Sequence, residues 1–384
     1  MKKIIYLLAI AAFTITSCSD DDTKKDTTVI VSPTDDCYFN GSVELTTQAQ
    51  VDDFVAKKYC AIAGDLQIGS NSANSDITSL AGLKTITSVG STIIIVNNPQ
   101  LVTLAGLNNI TKAGGFTIHY NDALQSLEGL AVSTADNFKG YEITNNKALK
   151  SLKGLEGNIS IPVLLIDACP ALTSLKGLES CIAINLVMNY CPLVKNLQGL
   201  NGIQELQLLD LNNNTGITSL EGLDNLKNAQ RILLINNTAL QSLKGLEKLK
   251  KIVYLEATNN SALTSLQGLE NVTLLENVTI KNNNALVSIA HLSGVTTVKS
   301  GFSGNGSGIS LASITISDNA TLTSLNGLQN VTTFSGSLRI TNNTSLTDLC
   351  AIKNMLLTGS FYETGIYNNA NPVTVADIKN GNCN

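Results

Sequence analysis

One eleven-residue phrase recurs along this chain and constrains its fold more than any other feature. It reads Asn-Asn-x-x-Leu-x-Ser-Leu-x-Gly-Leu, as at residues 236–246, and it returns about every 23 residues. Such a period is typical of a solenoid, in which each coil buries its apolar edge only against neighbouring coils. The glycine position of the phrase, here the glycine slot, falls at Gly82, Gly106, Gly129, Gly154, Gly177, Gly199, Gly222, Gly245 and Gly268, and continues through His291, Gly327, Ala351 and Asp377.

Aliphatic residues recur at fixed offsets from the slot and predict the core. Leucine or isoleucine stands two positions before it and one position after it, as Leu243 and Leu246 do around Gly245. Eleven to thirteen residues before the slot lies an alternating triplet such as Leu209-Asp210-Leu211, which indicates a strand with its outer two side chains inward. Because every coil carries this strand at the same place, the copies must pair in parallel.

An asparagine column lies eight residues before the slot. A turning backbone leaves buried amides without strand partners, and a carboxamide supplies both donors and an acceptor for them. Cys169 and Cys191 fall in the same column. We interpret them as substitutes for asparagine, with the thiol as a weak hydrogen-bonding group; the alternative is a disulfide between these two neighbouring coils. The asparagines of the column are Asn74, Asn98, Asn121, Asn146, Asn214, Asn237, Asn260, Asn283, Asn319 and Asn343.

These motifs resemble the leucine-rich-repeat superfamily, and within it the receptor L-domain. The segment 338–349 follows the L-domain phrase, as does the stretch from Cys37 to Ile68, so that the resemblance covers residues 37–384. It implies one β-rich solenoid, a right-handed parallel β-helix or leucine-rich-repeat-like fold of about 12–13 coils of roughly 23 residues. It also implies an extracellular protein that binds a ligand.

The N-terminal residues predict export. Lys2 and Lys3 precede an apolar run that is too short to span a bilayer, which is typical of a signal peptide (1–17). The residues before Cys18 resemble a bacterial lipobox, which implies lipidation of that cysteine; the alternative is an ordinary signal peptide. Ser19-Asp20-Asp21-Asp22 resembles the surface-export signal of Bacteroidetes-type lipoproteins, or is simply part of a flexible linker (18–36). We therefore expect a lipid anchor in the outer membrane and exposure at the cell surface.

Cysteines bracket both ends of the predicted solenoid. Cys37 and Cys60 flank an N-terminal cap (37–68), and Cys350 and Cys383 flank a C-terminal cap (350–384). In an exported protein both pairs are candidate disulfides that hold the caps closed. Cys181 is left over, and we interpret it as a buried thiol.

Neither catalysis nor nucleic-acid binding is indicated. His119 and His291 fall in coils seven repeats apart, and Glu142 and Asp210 share a column about 14 Å apart, beyond the reach of a glycosidase pair. The formal charge is −5, with no basic stripe, which argues against a nucleic-acid partner. No metal-ligand spacing or phosphate loop is present, so we expect no cofactor and no metal.

Two departures from the repeat point to function. The interval from His291 to Gly327 holds an insertion (293–312) rich in glycine and serine, with Phe302 as a candidate contact residue; the alternative is a tolerated surface loop. In the central coils, outward strand positions carry apolar residues where polar ones are expected, which predicts a binding face. These residues are Val163, Leu165, Val187, Leu208, Leu233, Ile235 and Tyr254.

The sequence thus predicts a cell-surface lipoprotein whose solenoid is a non-catalytic binding or adhesion module for a protein or a glycan. The absence of tryptophan weighs against a glycan, because carbohydrate sites favour aromatic platforms. The alternative is a scaffold subunit of an outer-membrane assembly, with the strand face buried against a partner protein.

Overall fold

The computed structural model describes residues 37–130, 139–157, 160–300 and 312–384. They belong to the second of the two units into which the chain divides, Asp36–Asn384. The predicted signal peptide and linker, with Cys18, lie outside the described residues, as does Phe302. None of the described helices is long and apolar enough to cross a membrane.

Each coil contributes a strand whose side chains alternate between core and surface. In Leu209-Asp210-Leu211 both leucines are fully buried and the aspartate faces outward, as the period of two predicts. The strands are β1 (Tyr38–Phe39), β2 (Val43–Leu45), β3 (Ala61–Ile62), β4 (Leu66–Gly69), β5 (Ser88–Val89), β6 (Thr92–Val96), β7 (Gly115–His119), β8 (Tyr141–Thr144), β9 (Ser160–Asp167), β10 (Ile182–Asn189), β11 (Glu205–Asn212), β12 (Asn228–Ile235), β13 (Lys251–Thr258), β14 (Leu274–Lys281), β15 (Thr297–Lys299), β16 (Ala312–Ser317), β17 (Thr333–Thr341) and β18 (Ser360–Tyr367).

Parallel pairing stacks the coils in chain order. A 15-stranded sheet runs from β2 through β4 and then β6 to β18, and a second sheet of three strands joins β1, β3 and β5 near the start. The leucine columns beside the slot, such as Leu220, Leu243 and Leu266, are fully buried between coils. This confirms the predicted parallel β-solenoid with coils of about 23 residues.

The second asparagine of the phrase forms a buried ladder. Asn237 donates from Nδ2 to the backbone oxygen of Leu211 at 2.8 Å and accepts at Oδ1 from the backbone N–H of Asn214 at 3.0 Å. Each carboxamide thus links its coil to the one before. One position of the predicted column was wrong, because Asn74 is exposed and the hydroxyl of Ser75 occupies the ladder, donating to Asn98 at 2.6 Å.

Two thiols replace carboxamides in this ladder. Cys169 and Cys191 are buried and reduced, as is Cys181. The backbone N–H of Cys169 donates to Cys191 Sγ, and the N–H of Cys191 donates to Asn214 Oδ1 at 3.0 Å. The ladder therefore continues through both cysteines, and the structure favours their interpretation as substitutes over a disulfide.

The first asparagine of the phrase has a backbone role that the sequence alone did not show us. Asn236, Asn259 and Asn282 have φ values of 60°, 60° and 55°, in the left-handed region that asparagine tolerates better than most residues. Their side chains also join across coils, since Asn259 Nδ2 donates to Asn236 Oδ1 at 2.9 Å. The Asn-Asn pair thus sets a tight corner and an outer hydrogen-bond ladder.

Glycine is required at the slot for two reasons. Gly245 has φ +109°, and a Cβ there would lie 2.2 Å from the backbone oxygen of Leu220 in the preceding coil. The slot at Gly82, where φ is not positive, and the slots that hold His291 and Ala351 lie in 3-10 helices instead, at Ala81–Thr85, Ala290–Leu292 and Cys350–Ile352.

The N-terminal end of the solenoid is covered by helix α1 (Gln48–Ala56). Thr47 caps this helix in a capping box, and Val51 and Phe54 are its buried residues. The predicted disulfide between Cys37 and Cys60 is present. Strands β2 and β4, inside the predicted cap, already belong to the main sheet.

The C-terminal end carries two short helices, α2 (Lys353–Thr358) and α3 (Val375–Asn380), and the predicted disulfide between Cys350 and Cys383 is present. Asp377, at the last predicted slot, belongs to α3 and not to a glycine-type turn. Eight residues before it, Asn369 ends the asparagine ladder by accepting from the N–H of Asn343 at 3.1 Å.

The insertion interrupts a strand. Strand β15 pairs with β14 and β17 at one end of the coil's strand position, and β16 pairs with the same two strands at the other end. Residues 301–311 between them lie outside the described residues. One strand position of the main sheet is therefore shared by β15 and β16, which the insertion separates along the chain.

Candidate binding face

The seven residues of the predicted binding face all lie on the outward side of β9–β13, where they occupy three columns across the sheet. The first column runs Val163, Asn185, Leu208, Arg231 and Tyr254, with consecutive members paired in register. Val163 is 39% exposed. Leu208 and Tyr254 are half-buried, as expected for outward residues on a continuous sheet.

The second column runs Leu165, Val187, Asp210, Leu233 and Glu256. All five are half-buried. Each coil presents one of these side chains about 4.8 Å from the next.

The third column runs Asp167, Asn189, Asn212, Ile235 and Thr258 along the strand ends. These three columns on β9–β13 are here called the central face. It contains all seven predicted residues, but polar side chains separate them, so the face is mixed and not a continuous apolar stretch.

The sequence shows acidic residues on these strands amid apolar neighbours, and the strand pairings add which side chains share a column. Asp210 lies between Val187 and Leu233, and Arg231 lies between Leu208 and Tyr254. The triplet spacing from the glycine slot was sufficient to find these neighbours, because it fixes which residues share a column.

Arg231, Tyr254, Glu256 and Thr258 form one network. The guanidinium carbon of Arg231 lies 5.3 Å from the centroid of the Tyr254 ring, within cation–π range. Tyr254 donates from its hydroxyl to Glu256 Oε2 at 3.1 Å, and Thr258 donates to Glu256 Oε1 at 3.1 Å. Burial, and then the negative charge of Glu256, raise the pKa of Tyr254. The network fixes the aromatic ring and both charges on the face.

The negative charge of Asp210 is compensated by fewer hydrogen bonds than that of Glu256. Asn212 donates from Nδ2 to Asp210 Oδ1 at 2.5 Å, and apolar side chains flank the carboxylate in its column. Burial raises the pKa of Asp210 and Glu256 raises it further, whereas Arg231 opposes the shift. Burial likewise raises the pKa of Asp167. Both carboxylates are thus partly desolvated without a full complement of cations.

Asp210 and Glu256 share a column two coils apart, about 10 Å between backbones. This pair is closer than Glu142 and Asp210, which lie three coils apart in the same column. Glu142 lies beside His119, with 3.6 Å between His119 Nε2 and Glu142 Oε1, and burial lowers the pKa of His119. Arg231 and Leu233 occupy the intervening coil, so the two carboxylates of the column are separated by other side chains.

A pocket lies along the glycine turns, lined by carboxylates and lysines that include Glu179, Asp224 and Lys244. These charges bind one another or the turns, since Lys244 Nζ lies 2.6 Å from Glu221 Oε1 and Gly222 donates its N–H to Asp224 at 2.8 Å. Across the described ranges, no three His, Cys, Asp or Glu side chains converge to hold a metal ion.

The chain was compared with protein-family models, curated proteins and solved structures. No family model matches the chain, and no curated protein matches it. Among solved structures, a complex of TLR13 with the RNA ssRNA13 is 15% identical with a TM-score of 0.24, and the match covers 90% of this chain and 60% of that one. A leucine-rich repeat protein from Eubacterium ventriosum is 10% identical with a TM-score of 0.17, covering 71% of this chain and 82% of the other. The repeat architecture rests on the sheet register and the asparagine ladder.

Proposed function

We propose that this protein is a non-catalytic binding module that holds a protein ligand against the central face. The observation that carries the proposal is the combination of half-exposed Leu165, Leu208 and Leu233 with the fixed pair of Arg231 and Tyr254 on one continuous sheet. Aromatic residues and arginine are enriched where protein interfaces gain most of their binding energy. Because the solenoid backbone and the network already hold these side chains in place, binding loses little side-chain entropy.

A protein ligand fits this face better than a glycan or a nucleic acid. The chain has no tryptophan, and Tyr254, the only aromatic residue of the central face, already has Arg231 over its ring. A sugar ring would have to displace that guanidinium. The face also carries three carboxylates, at Asp167, Asp210 and Glu256, which would repel the phosphates of a nucleic acid.

We further propose that the module is lipid-anchored at the cell surface. The signal-like residues 1–17 and the lipobox-like segment before Cys18 support lipidation, and the acidic Ser19–Asp22 segment supports export to the outer face of a Bacteroidetes-type outer membrane. Metabolic labelling with an alkyne fatty acid should mark the wild-type chain and not Cys18→Ala. Digestion of intact cells with an added protease should remove the solenoid. A label retained by Cys18→Ala, or a solenoid protected in intact cells, would contradict this placement.

Site-directed photo-crosslinking on intact cells tests the binding face. A photoreactive residue in place of Leu208, on the central face, should form an adduct with a protein. The matched control replaces Lys248, an exposed residue on the turn that follows Gly245. We expect an adduct from position 208 only.

The triple variant Leu165→Asp, Leu233→Asp, Tyr254→Ala should abolish that adduct while the circular dichroism spectrum is unchanged. An adduct that survives the triple variant, or that forms equally from position 248, rules out the central face. An adduct whose added mass is removed completely by glycosidases would assign the ligand as a glycan. A single stoichiometric membrane protein crosslinked in every preparation would instead favour the scaffold role.

A further inference from the structure

The central face has a charge pattern that specifies its ligand further. Its outward columns hold three carboxylates, Asp167, Asp210 and Glu256, against one guanidinium, Arg231. Glu142 adds a fourth carboxylate on the neighbouring strand β8, in the same column as Asp210. The face is therefore both apolar and negatively charged, a combination that a purely apolar partner would not complement.

The charged groups of this face differ in the partners that compensate their charges. Glu256 accepts hydrogen bonds from Tyr254 and Thr258 on its two oxygens, and Arg231 lies over the Tyr254 ring. Asp210 receives its hydrogen bond from Asn212, within its own strand. Of the three carboxylates, Asp210 is the one set between aliphatic side chains in its column.

We propose that the ligand is a polypeptide that places a lysine or arginine side chain on Asp210 and packs aliphatic or aromatic side chains against Leu165, Val187 and Leu233. This inference rests on the proposed function and deepens it by naming the chemistry of the partner. A cation brought to a partly desolvated carboxylate forms a charge-assisted hydrogen bond, which is stronger than the same contact in water. The aliphatic neighbours exclude water from that contact and add apolar burial.

The burial of Asp210 affects the stability of the fold. A carboxylate whose pKa is raised on folding destabilises the fold above its unfolded pKa, and the penalty disappears as both states become protonated at low pH. Asp210→Asn should therefore raise the melting temperature at neutral pH and lose that advantage below about pH 4. A bound cation would remove the same penalty, so the site is arranged to be stabilised by its ligand.

Binding should depend on pH through the same group. The groups that face Asp210 are Arg231 and Glu256 on the later coils and Asn212 on its own strand, while its neighbour in β10 is Val187, which does not titrate. Affinity should fall as the pH is lowered through the raised pKa of Asp210, because the protonated acid no longer attracts a cation. In Asp210→Asn this pH dependence should be absent or much reduced.

Selection of random twelve-residue peptides displayed on phage, against the full chain at neutral pH, tests the proposal with a defined probe. We expect enriched peptides to carry lysine or arginine next to aliphatic or aromatic residues. They should bind Asp210→Asn at least tenfold more weakly, and bind Asp53→Asn, an exposed carboxylate on α1, as they bind the wild type. Enrichment of acidic or uncharged peptides, or equal binding to Asp210→Asn, overturns the inference.

A second pair of variants separates this inference from the proposed function. If the selected peptides lose binding to Leu165→Asp and Leu233→Asp but not to Asp210→Asn, the face binds peptides and only the cationic specificity is wrong. If they bind all three variants normally, they dock elsewhere, and the proposed function is wrong as well. A selection that yields no binder to the folded chain counts against both.

Discussion

The buried asparagine ladder gives a quantitative prediction at Asn237. Replacing it with alanine removes the acceptor for the N–H of Asn214 and the donor to the carbonyl of Leu211, both in the preceding coil. Asn237 is fully buried, so water cannot substitute for either partner. At about 1–3 kcal/mol for each buried group that loses its partner, Asn237→Ala should destabilise the fold by about 2–6 kcal/mol.

The chain itself suggests the matched variant. Cys169 and Cys191 occupy this ladder in neighbouring coils, and their sulfur atoms accept the backbone N–H of the coil before, while Cys169 Sγ also approaches the carbonyl of Ile143 at 3.8 Å. In Asn237→Cys the sulfur should therefore still accept the N–H of Asn214, and the S–H should donate weakly to the carbonyl of Leu211. This variant should lose about half as much stability as Asn237→Ala.

Hydrogen exchange is the suitable measurement, because a solenoid opens locally and need not unfold in one step. At about 1.4 kcal/mol per tenfold change, the N–H of Asn214 should exchange about 30-fold or more faster in Asn237→Ala. The exposed neighbour provides the control, since Thr238→Ala should leave that rate unchanged. Equal exchange rates at Asn214 in the alanine and cysteine variants, or an unchanged rate in Asn237→Ala, would refute the assignment of the ladder as a stabilising element.

Three further predictions concern turns, caps and thiols. Gly245→Ala should lower the urea midpoint far more than Gly157→Ala, since both glycines have positive φ but only the first lacks room for a Cβ. Removing the Cys350–Cys383 disulfide, which closes a loop of 33 residues, should destabilise the C-terminal cap by about 3–4 kcal/mol and speed hydrogen exchange there while the central coils are unaffected. Burial raises the pKa of Cys181 to about 12, so this thiol should resist alkylation at pH 8 until denaturant is added; rapid labelling of the native protein would contradict its burial.

Much of the fold could be predicted because one physical requirement repeats in every coil. Leucines at fixed offsets from the slot must face inward, so their positions define the core, and the alternating triplets define the strands. The second asparagine of the phrase was predictable for the same reason, since an internal turn leaves amides that need a partner. Asn74 was the exception: the first coil turns differently, and the smaller Ser75 reaches Asn98 in its place.

Features that depend on two coils at once were harder to predict. The left-handed conformation of Asn236 follows from a corner whose geometry only the folded coil shows. The binding face was predicted from the hydrophobicity of single residues, which did not reveal that Arg231 lies between Leu208 and Tyr254 in one column. The insertion at 293–312 was visible as extra length, but its exit from the middle of a strand requires the pairings of β15 and β16.

Uniform coils also create an ambiguity during folding. A strand paired one whole coil out of place would still bury its leucines and still find an asparagine above and below, so the main hydrogen bonds cannot distinguish neighbouring coils. The divided coil can, because β17 must pair with both halves of the interrupted strand. This irregular coil therefore fixes which coils pair with each other in a solenoid of otherwise similar coils. A chain in which it were replaced by a consensus coil should misalign during refolding more often.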